Sequence, residues 1–555
     1  MRSTRQPDRL PRILLAAVLL LLTALCSCGA GGQETPDTES VRASETQSDG
    51  AETEDITIMS DFTTFITNGF DKLTGGAELP SGGETTYTVY MAKNEAESCQ
   101  IAIRSAKRRG SVGFRQTGGE AEGVSVDVFR EALVSAGRED YPDPLVPFGG
   151  KLTLLRDTTT TLLLRFTSSK EARAGEHTYT FALGNEGEAP LVEYTIVVKI
   201  WDFALPDTPS SASAMGLYDS AIAKMHGASG EELRSLYRAY YDKLLEYKVS
   251  AYDLPYDILD DRADAYMSDA RVTAFRVPDE ADDEKLLAYY EKLRSNAVWL
   301  KKAYFYPLDE PTSKEMLDQL ASLCERLHRL CLEIRICTPF FTNRDYDGKT
   351  DQIAFMTGKT TLWCPKSYMY ITSNVYSEAQ LKRYPPFGER MAERKAAGDG
   401  VWWYVCWEPG DPYCNLFVDQ TGLQHRILFW QQYQNGVDGF LYWGSNYWMG
   451  TDDPWNDMAT VKSLSESVFG DGSLLYNGNK ADVYGACASL RLEAVRDGIE
   501  DFDLLKLASG LLGEDWVQEK IAQISTSLTR YIASSERFSA LRAEIGDAVE
   551  NALRK

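Results

Sequence analysis

From residue 214 to residue 443 the sequence repeats one rhythm, in which short apolar runs alternate with amphipathic segments of helical period, such as 231–248 and 283–302. This alternation predicts βα units and a parallel sheet, because neighbouring parallel strands need a long crossover connection. Eight apolar runs qualify as strands: 214–218, 249–252, 272–275, 303–308, 333–338, 361–365, 401–406 and 439–443. Eight such units favour an α/β fold closed into a (β/α)8 TIM-like barrel.

The 555 residues exceed what one hydrophobic core usually supports, so further domains are expected. Ahead of the barrel, short runs of two-residue period predict an all-β sandwich, with strands at 86–91, 99–103, 124–129, 161–166, 177–182 and 192–200. A Pro-marked boundary follows at 201–209. We therefore predict a sandwich domain at 58–205, a catalytic barrel at 206–465, and a C-terminal strand and helical extension at 466–555.

The N-terminal residues have the pattern of a targeting signal and not that of a folded domain. Arginines precede an apolar run at 13–22 that is too short to span a bilayer comfortably. The run leads into Leu25-Cys26-Ser27-Cys28-Gly29, which resembles a bacterial lipobox with Cys28 as the lipidated residue. We predict a lipoprotein signal peptide at 1–28 and a disordered acidic tether at 29–57. The protein would be anchored to the membrane by lipid, outside the cytoplasm in a bacterial cell envelope; a plain secretory signal or membrane anchor is the alternative.

Charge and ligand spacing exclude several classes of function. A net charge of −24 argues against binding to nucleic acid, which requires basic surface. With only four His and no C-x-x-C pair, the chain offers no metal-ligand spacing, so no metal or other cofactor is predicted. The cysteines after Cys28 are expected to be buried thiols, although Cys406 and Cys414 could bridge a loop.

The fourth apolar run ends on two adjacent carboxylates, Asp309 and Glu310, followed by Pro311. An Asp-Glu pair is usually solvated surface, but catalytic groups of such barrels lie at the C-terminal ends of the strands. The position of this pair therefore favours a catalytic role.

Aromatic residues follow the sixth, seventh and eighth runs and predict a wall that stacks on sugar rings. The expected substrate-binding residues are Trp363, Tyr368, Trp403, Tyr404, Trp407, Glu408, Tyr442, Trp443 and Asn446. Successive strand residues point to opposite faces, so one of Trp402 and Trp403, and one of Tyr442 and Trp443, is expected in the core. Lys366 is either part of the site or a partner in a loop salt bridge.

Acids among aromatic rings are typical of glycoside hydrolysis, and two mechanisms fit the residues equally well. In one, Glu310 is the acid/base and Glu408 is a nucleophile on the opposite wall. In the other, Glu310 protonates the glycosidic oxygen while Asp309 orients a 2-acetamido group of the sugar, which acts as nucleophile and gives an oxazolinium intermediate. A third hypothesis is a surface lipoprotein that binds glycans without turnover.

Several segments in order along the chain resemble glycoside hydrolase family 123 and the related DUF4091-type barrel domains. They are WDFALP at 201–206, YPLDEP at 306–311, WWYVC at 402–406, GVDGFLYWG at 436–444 and RLEAVRDGIED at 491–501. The resemblance implies an exo-acting, retaining β-N-acetylgalactosaminidase that uses substrate assistance, with Asp309 polarising the acetamido group and Glu310 as acid/base. The implied partner is a glycan with terminal β-linked GalNAc, or GlcNAc. The segment at 491–501 is predicted to form a buried ion-pair network instead of taking part in chemistry.

Overall fold

The computed structural model describes residues 61–81, 83–137, 139–279, 282–345, 350–459 and 468–555. The predicted signal peptide, the Cys28 lipidation site and the whole of the predicted tether lie outside these residues. In the part of the chain that is described, no helix is both long enough and apolar enough to cross a membrane.

The first part of the chain forms two five-stranded sheets. The strands are β1 (Phe62–Asn68), β2 (Thr86–Lys93), β3 (Ala96–Ser105), β4 (Arg109–Gly118), β5 (Val124–Ala136), β6 (Glu139–Pro147), β7 (Lys151–Leu154), β8 (Thr159–Ser168), β9 (Gly175–Leu183) and β10 (Val192–Ala204). Their orders are β1-β3-β8-β5-β6 and β2-β10-β9-β4-β7. All six strands expected from the alternation are present. Of the four others, β1, β6 and β7 are sheet edges, and β4 and β6 carry the Gly and Pro that weaken a strand pattern.

The second part contains a seven-stranded parallel sheet that nearly closes into a barrel. Its strands are β11 (Ala212–Met215), β12 (Phe275–Arg276), β13 (Ala303–Phe305), β14 (Arg335–Phe340), β15 (Leu362–Pro365), β16 (Gly400–Val405) and β17 (Gly439–Tyr442). The order β11-β17-β16-β15-β14-β13-β12 leaves β11 and β12 at the two edges. Seven of the eight predicted strands are confirmed.

The expected second strand, 249–252, is reduced to a single bridge between Ala251 and Met215. Tyr252 nevertheless donates its backbone N–H to the carbonyl of Met215 at 2.8 Å, and Arg276 donates to the carbonyl of Tyr252 at 2.7 Å. An extended segment therefore fills the gap between β11 and β12, but it is too short to form ladders with both neighbours.

The helices surround the parallel strands and extend beyond them. They are α1 (Asp219–His226), α2 (Gly230–Glu246), α3 (Ala263–Ser268), α4 (Asp283–Arg294), α5 (Ala297–Lys302), α6 (Lys314–Leu330), α7 (Gln352–Met356), α8 (Glu378–Arg383), α9 (Phe387–Ala396), α10 (Gly422–Gln434), α11 (Leu490–Leu512), α12 (Glu514–Ile521) and α13 (Ser535–Leu553). Short 3-10 turns occupy Ser367–Tyr370, Thr372–Asn374 and Gly478–Ala481, and two small hairpins pair β18 (Leu475–Asn477) with β19 (Ala486–Ala488) and β20 (Ser525–Ser527) with β21 (Arg530–Tyr531).

Side chains of alternate strand residues fall into two layers. The layer enclosed by the strands holds Ala214, Ala274, Tyr304, Cys337, Leu362, Cys364, Trp402, Tyr404, Cys406 and Leu441. The residues between them, among them Phe305, Trp363, Trp403 and Tyr442, pack outward against the helices. This period of two fixes which side chains of each strand can reach the inside of the barrel.

Buried ion pairs join the sandwich, the barrel and the C-terminal helices. Arg426 of α10 contacts Glu97 of β3 at 2.8 Å and Asp501 of α11 at 2.7 Å, and Arg542 of α13 also contacts Asp501, at 2.5 Å. Arg491 of α11 reaches Asp143 of β6 at 2.8 Å. The prediction of a buried ion-pair network at 491–501 is confirmed.

The eight cysteines from Cys99 to Cys487 are all buried free thiols, Cys406 and Cys414 among them. A cavity of about 520 Å³ lies in the sandwich, between β4, β5 and the turn after β6, and is lined by Phe114, Val126 and Phe148 among others. None of the predicted catalytic residues lines this cavity.

Candidate active site

The acid pair lies beyond the C-terminal end of β13. The strand itself ends at Phe305, three residues earlier than predicted, so Asp309 and Glu310 belong to the loop that precedes α6. Tyr304 and Tyr306 both belong to the layer enclosed by the strands, and the Tyr306 hydroxyl donates a hydrogen bond of 2.7 Å to the Asp309 carboxylate. The inner face of the strand therefore orients Asp309.

Glu310 is held in a disfavoured backbone conformation. Its φ is 41°, in the left-handed region that residues with a side chain rarely adopt. The following Pro311 further restricts the residue before it toward extended conformations. Such strain persists only where surrounding contacts hold it, and it concentrates at functional sites.

Two contacts, one from β16 and one from the end of β15, hold the Glu310 carboxylate. The Tyr404 hydroxyl, on β16, donates a hydrogen bond to it. The Lys366 ammonium group, just after β15, lies 3.8 Å from it. Burial, followed by the charge of Glu310, raises the pKa of Tyr404 well above its usual value, so the hydroxyl keeps its proton and acts as the donor.

Asp309 has an accessible face, although protein atoms crowd the rest of its surroundings. That burial, followed by the negative charge of Glu310, raises the pKa of Asp309 to about 6, against the lowering effect of the Tyr306 hydrogen bond. Asp309 is therefore mostly ionised at neutral pH and becomes protonated in mild acid.

Lys366 connects Glu310 with a second carboxylate, that of Glu408. Its side chain is only 2% exposed, and its ammonium group lies 3.4 Å from Glu408. Burial on its own would lower the pKa of Lys366, but the negative charges of the Glu310 and Glu408 carboxylates raise it above its usual value. Lys366 is thus a permanent cation at this site.

Trp443 follows β17 and is fixed from behind by the segment at 471–472. Its indole N–H donates to the Asp471 carboxylate at 3.0 Å, and the Tyr442 hydroxyl donates to the same group at 3.1 Å. A Cβ on Gly472, whose φ is +69°, would lie 2.3 Å from the Trp443 ring. Burial raises the pKa of Asp471 to about 6, against both of these hydrogen bonds.

For four of the residues expected to bind substrate, the surroundings in the structure contradict the prediction. Trp363 and Trp403 face the helices and are 1% and 0% exposed, and the Trp363 indole N–H donates to Asp399 at 2.8 Å. Tyr442 is fully buried on the same outer face. Asn446 is also fully buried and bonds the backbone of Tyr218 through both its amide atoms. These side chains pack or brace the fold, and no face of them is open to a sugar.

The other predicted residues lie around Lys366. The rings of Tyr368, Tyr404 and Trp407 surround its ammonium group, with centroids at 5.9, 5.5 and 5.3 Å. Trp407 is 37% exposed, and Tyr368 is half-buried and donates its hydroxyl to the Phe341 carbonyl at 3.0 Å. The structure thus brings together Asp309, Glu310 and these aromatic residues with Glu408.

The sequence carried a signal for some of the residues that complete the site. Leu362, Cys364 and Lys366 share one face of a strand, as do Trp402, Tyr404 and Cys406, so the period of two places Lys366 in line with the inner layer. Asp471 had no such signal, because it follows no strand of the parallel sheet.

In the described ranges, no group of His, Cys, Asp or Glu is arranged so that it could hold a metal ion.

Residues 366–508 match the family model described as "Glycoside hydrolase 123, catalytic domain". Among solved structures, the chain is similar to a family 123 glycoside hydrolase from Clostridium perfringens, with a TM-score of 0.64, 12% identity, and coverage of 89% of this chain and 98% of that one. A β-glucuronidase from Lactobacillus rhamnosus matches with 12% identity, coverage of 69% of this chain and 60% of that one, and a TM-score of only 0.24. No curated protein sequence matches the chain.

A parallel barrel that presents carboxylates and aromatic rings beyond its strand ends, together with the match over residues 366–508, makes the chain similar to the glycoside hydrolases. Within that class, the sequence match over residues 366–508 and the similarity of the fold both point to glycoside hydrolase family 123 as the family that the chain resembles.

Proposed function

We propose that the protein is a retaining exo-β-N-acetylhexosaminidase, acting on terminal β-linked GalNAc, or GlcNAc, with the 2-acetamido group of the sugar as nucleophile. The observation that carries this proposal is the separate anchoring of two adjacent acids. Asp309 is bound by Tyr306, whereas Glu310 is bound by Tyr404 and Lys366. Two neighbouring carboxylates with different partners suit two different roles on one sugar. The family resemblance and the relative studied for glycolipid glycan hydrolysis support the substrate class.

In the first step, the acetamido oxygen attacks the anomeric carbon while Glu310 gives its proton to the departing glycosidic oxygen. Asp309 accepts a hydrogen bond from the acetamido N–H, which orients the group and stabilises the positive charge of the oxazolinium ring. In the second step, Glu310 removes a proton from water as the water oxygen attacks the anomeric carbon and opens the ring. Two inversions at this carbon give net retention.

The test is an assay of aryl β-GalNAc and β-GlcNAc glycosides with the wild type, Glu310→Gln and Asp309→Asn. We expect both variants to lose activity, and we expect a thiazoline mimic of the oxazoline to inhibit the wild type. Failure to cleave either sugar, or full activity of Asp309→Asn, would contradict the proposal.

A second function is favoured by one contact, since Glu408 and Glu310 approach the same ammonium group. In this alternative the enzyme is a retaining glycosidase in which Glu310 is the acid/base and Glu408 forms a covalent glycosyl intermediate. A 2-fluoro glycoside would then label Glu408, and Glu408→Ala would be inactive. If the enzyme is active but the 2-fluoro glycoside does not label Glu408, this alternative mechanism is eliminated.

A further inference from the structure

Lys366 is placed where it acts on the acids and not on the sugar. Its backbone is fixed at the end of β15, with the N–H donating to the Phe340 carbonyl at 2.9 Å and a bridge to Tyr404. Its ammonium group is covered by aromatic rings, that of Phe341 at 4.8 Å among them. Because the side chain is 2% exposed, whereas those of Glu310 and Glu408 are 29% and 40% exposed, the carboxylates lie between Lys366 and solvent.

One cation therefore serves two anions. The ammonium group is nearer to Glu408, at 3.4 Å, than to Glu310, at 3.8 Å. Other titratable groups act on the same site from each packed element: Asp309 on the loop of Glu310, Cys364 on β15, Tyr368 beyond it, Tyr404 on β16, Cys406 beyond it, and Asp471 before β18. Burial raises the pKa of both Cys364 and Cys406, so these thiols stay neutral at neutral pH.

We propose that Glu408 is the counter-ion of Lys366, and that this ion pair determines at which pH Glu310 holds the proton it gives to the leaving group. The proposal rests on the role of Glu310 as acid/base, and it makes Lys366 and Glu408 positioning residues that act through Glu310.

The geometry gives each partner a definite effect. While Glu408 neutralises Lys366, a protonated Glu310 lies beside a balanced pair and can keep its proton until the first step. After that step, the Glu310 carboxylate shares the ammonium group, which steadies the anion until water supplies the next proton. An opposite charge within about 4–6 Å favours the ionised form of a carboxyl group, whereas a like charge disfavours it.

Two substitutions should therefore move the high-pH limb of kcat/KM in opposite directions. Glu408→Gln leaves Lys366 uncompensated, so Glu310 loses its proton more readily and the limb moves to lower pH by about one unit. Lys366→Met leaves Glu310 beside two carboxylates, so the limb moves to higher pH by about one unit. The charge-preserving variants Glu408→Asp and Lys366→Arg should keep the limb close to its wild-type position.

Opposite shifts separate this role from a merely structural one. Loosening of the site would lower kcat/KM in both variants without moving their high-pH limbs in opposite directions. Unmoved limbs in Glu408→Gln and Lys366→Met, or shifts in the same direction, would overturn the proposal. So would a Glu408→Gln enzyme that is inactive at every pH together with labelling of Glu408 by a 2-fluoro glycoside.

A second readout needs no turnover. The side-chain carboxyl signal of Glu310, assigned by its loss in Glu310→Gln, can be titrated by carbon-13 NMR in each variant, and we expect the same opposite shifts. If Lys366→Met does not fold, Glu408→Gln and Lys366→Arg still test the pair. If the wild type cleaves only glycosides without a 2-acetamido group, the proposed function fails, but the limbs can still be measured on that substrate provided that a 2-fluoro glycoside does not label Glu408, since Glu310 remains the acid.

Discussion

Carboxylates form ion pairs with cations in two regions of this molecule, and the two regions differ in how deeply the pairs are buried and in how completely the charges are matched. In the ion-pair network, Arg426 and Asp501 have side chains 1% and 0% exposed, and Asp501 is paired with both Arg426 and Arg542. Beyond the C-terminal ends of the barrel strands, the carboxylates of Glu310 and Glu408 share Lys366, and they keep 29% and 40% of their side-chain surface exposed. The same residue types stabilise the fold where they are buried and matched, and suit chemistry where they are accessible and in excess.

The electrostatic consequences differ in the same way. Although burial alone would raise it, the pKa of Asp501 is lowered by the charges of Arg426 and Arg542. The pKa of Asp309 is raised to about 6 by burial and by Glu310. A carboxylate that stays ionised holds a structure together, whereas one that titrates near neutrality can change state during a reaction.

The largest expected effect is a loss of activity on substitution of Glu310, in the accessible region. Glu310→Gln removes the proposed proton donor, so kcat on an aryl hexosaminide should fall by roughly 10²–10⁴-fold. The melting temperature should stay within about 2 °C, because the partners of this acid among the described residues are Lys366 and Tyr404, at a partly exposed position. Steady-state kinetics and circular dichroism melting measure both. A kcat within tenfold of the wild type would remove Glu310 from the chemistry.

The opposite result is expected from the buried network. Arg426→Met leaves Glu97 and Asp501 buried with less compensation, which should lower the free energy of unfolding by about 3–5 kcal/mol. The folded fraction should still turn over at nearly the wild-type kcat. Denaturant unfolding is the measurement, and Lys395→Met is the control, since Lys395 pairs with Asp438 at the surface with side chains 41% and 39% exposed. Equal losses of unfolding free energy in Arg426→Met and Lys395→Met would contradict the stabilising role given to the buried network.

The raised pKa of Asp309 predicts an acidic limb in the pH profile. A pKa near 6 means that the carboxylate, which in the proposed mechanism orients the acetamido group, is lost as pH falls through 6. kcat/KM should therefore drop about tenfold per pH unit below that value. The profile of Asp309→Asn should lack this limb, and persistence of the same limb in that variant would assign it to another group.

The smallest effect concerns the Trp443 ring. Gly472→Ala would place a methyl group 2.3 Å from that ring and would strain a backbone with φ of +69°. We expect KM to rise roughly three- to tenfold, equivalent to about 1 kcal/mol, with little change in kcat. Gly510→Ala is the matched control, because a Cβ there meets no atom within 4 Å. An unchanged KM would show that Trp443 does not bind the sugar.

Much of the fold could be predicted because local pattern and tertiary structure agree. Apolar runs that are buried on both faces became β15, β16 and β17 near their expected bounds. The run at 303–308 was shortened, because Pro307 cannot donate to a ladder and the chain leaves the sheet ahead of the acids.

The site was predicted less completely, for reasons that are tertiary. Which member of each aromatic pair faces inward depends on strand register, and this moved Trp403 and Tyr442 to the outer layer. Asp471 reaches Trp443 from a loop 28 residues away in sequence, which no local pattern reveals. The pair Asp309-Glu310 was found because strand-end position and residue chemistry pointed to the same place.

The central claim is that the acetamido oxygen of the substrate is the nucleophile, and one measurement tests it most directly. A series of aryl β-hexosaminides with none, one, two or three fluorines on the N-acetyl methyl group varies the nucleophilicity of that oxygen while leaving the leaving group unchanged. Substrate assistance predicts that log kcat/KM falls steadily with each added fluorine. A rate that does not respond to fluorination would contradict it and would direct attention to Glu408.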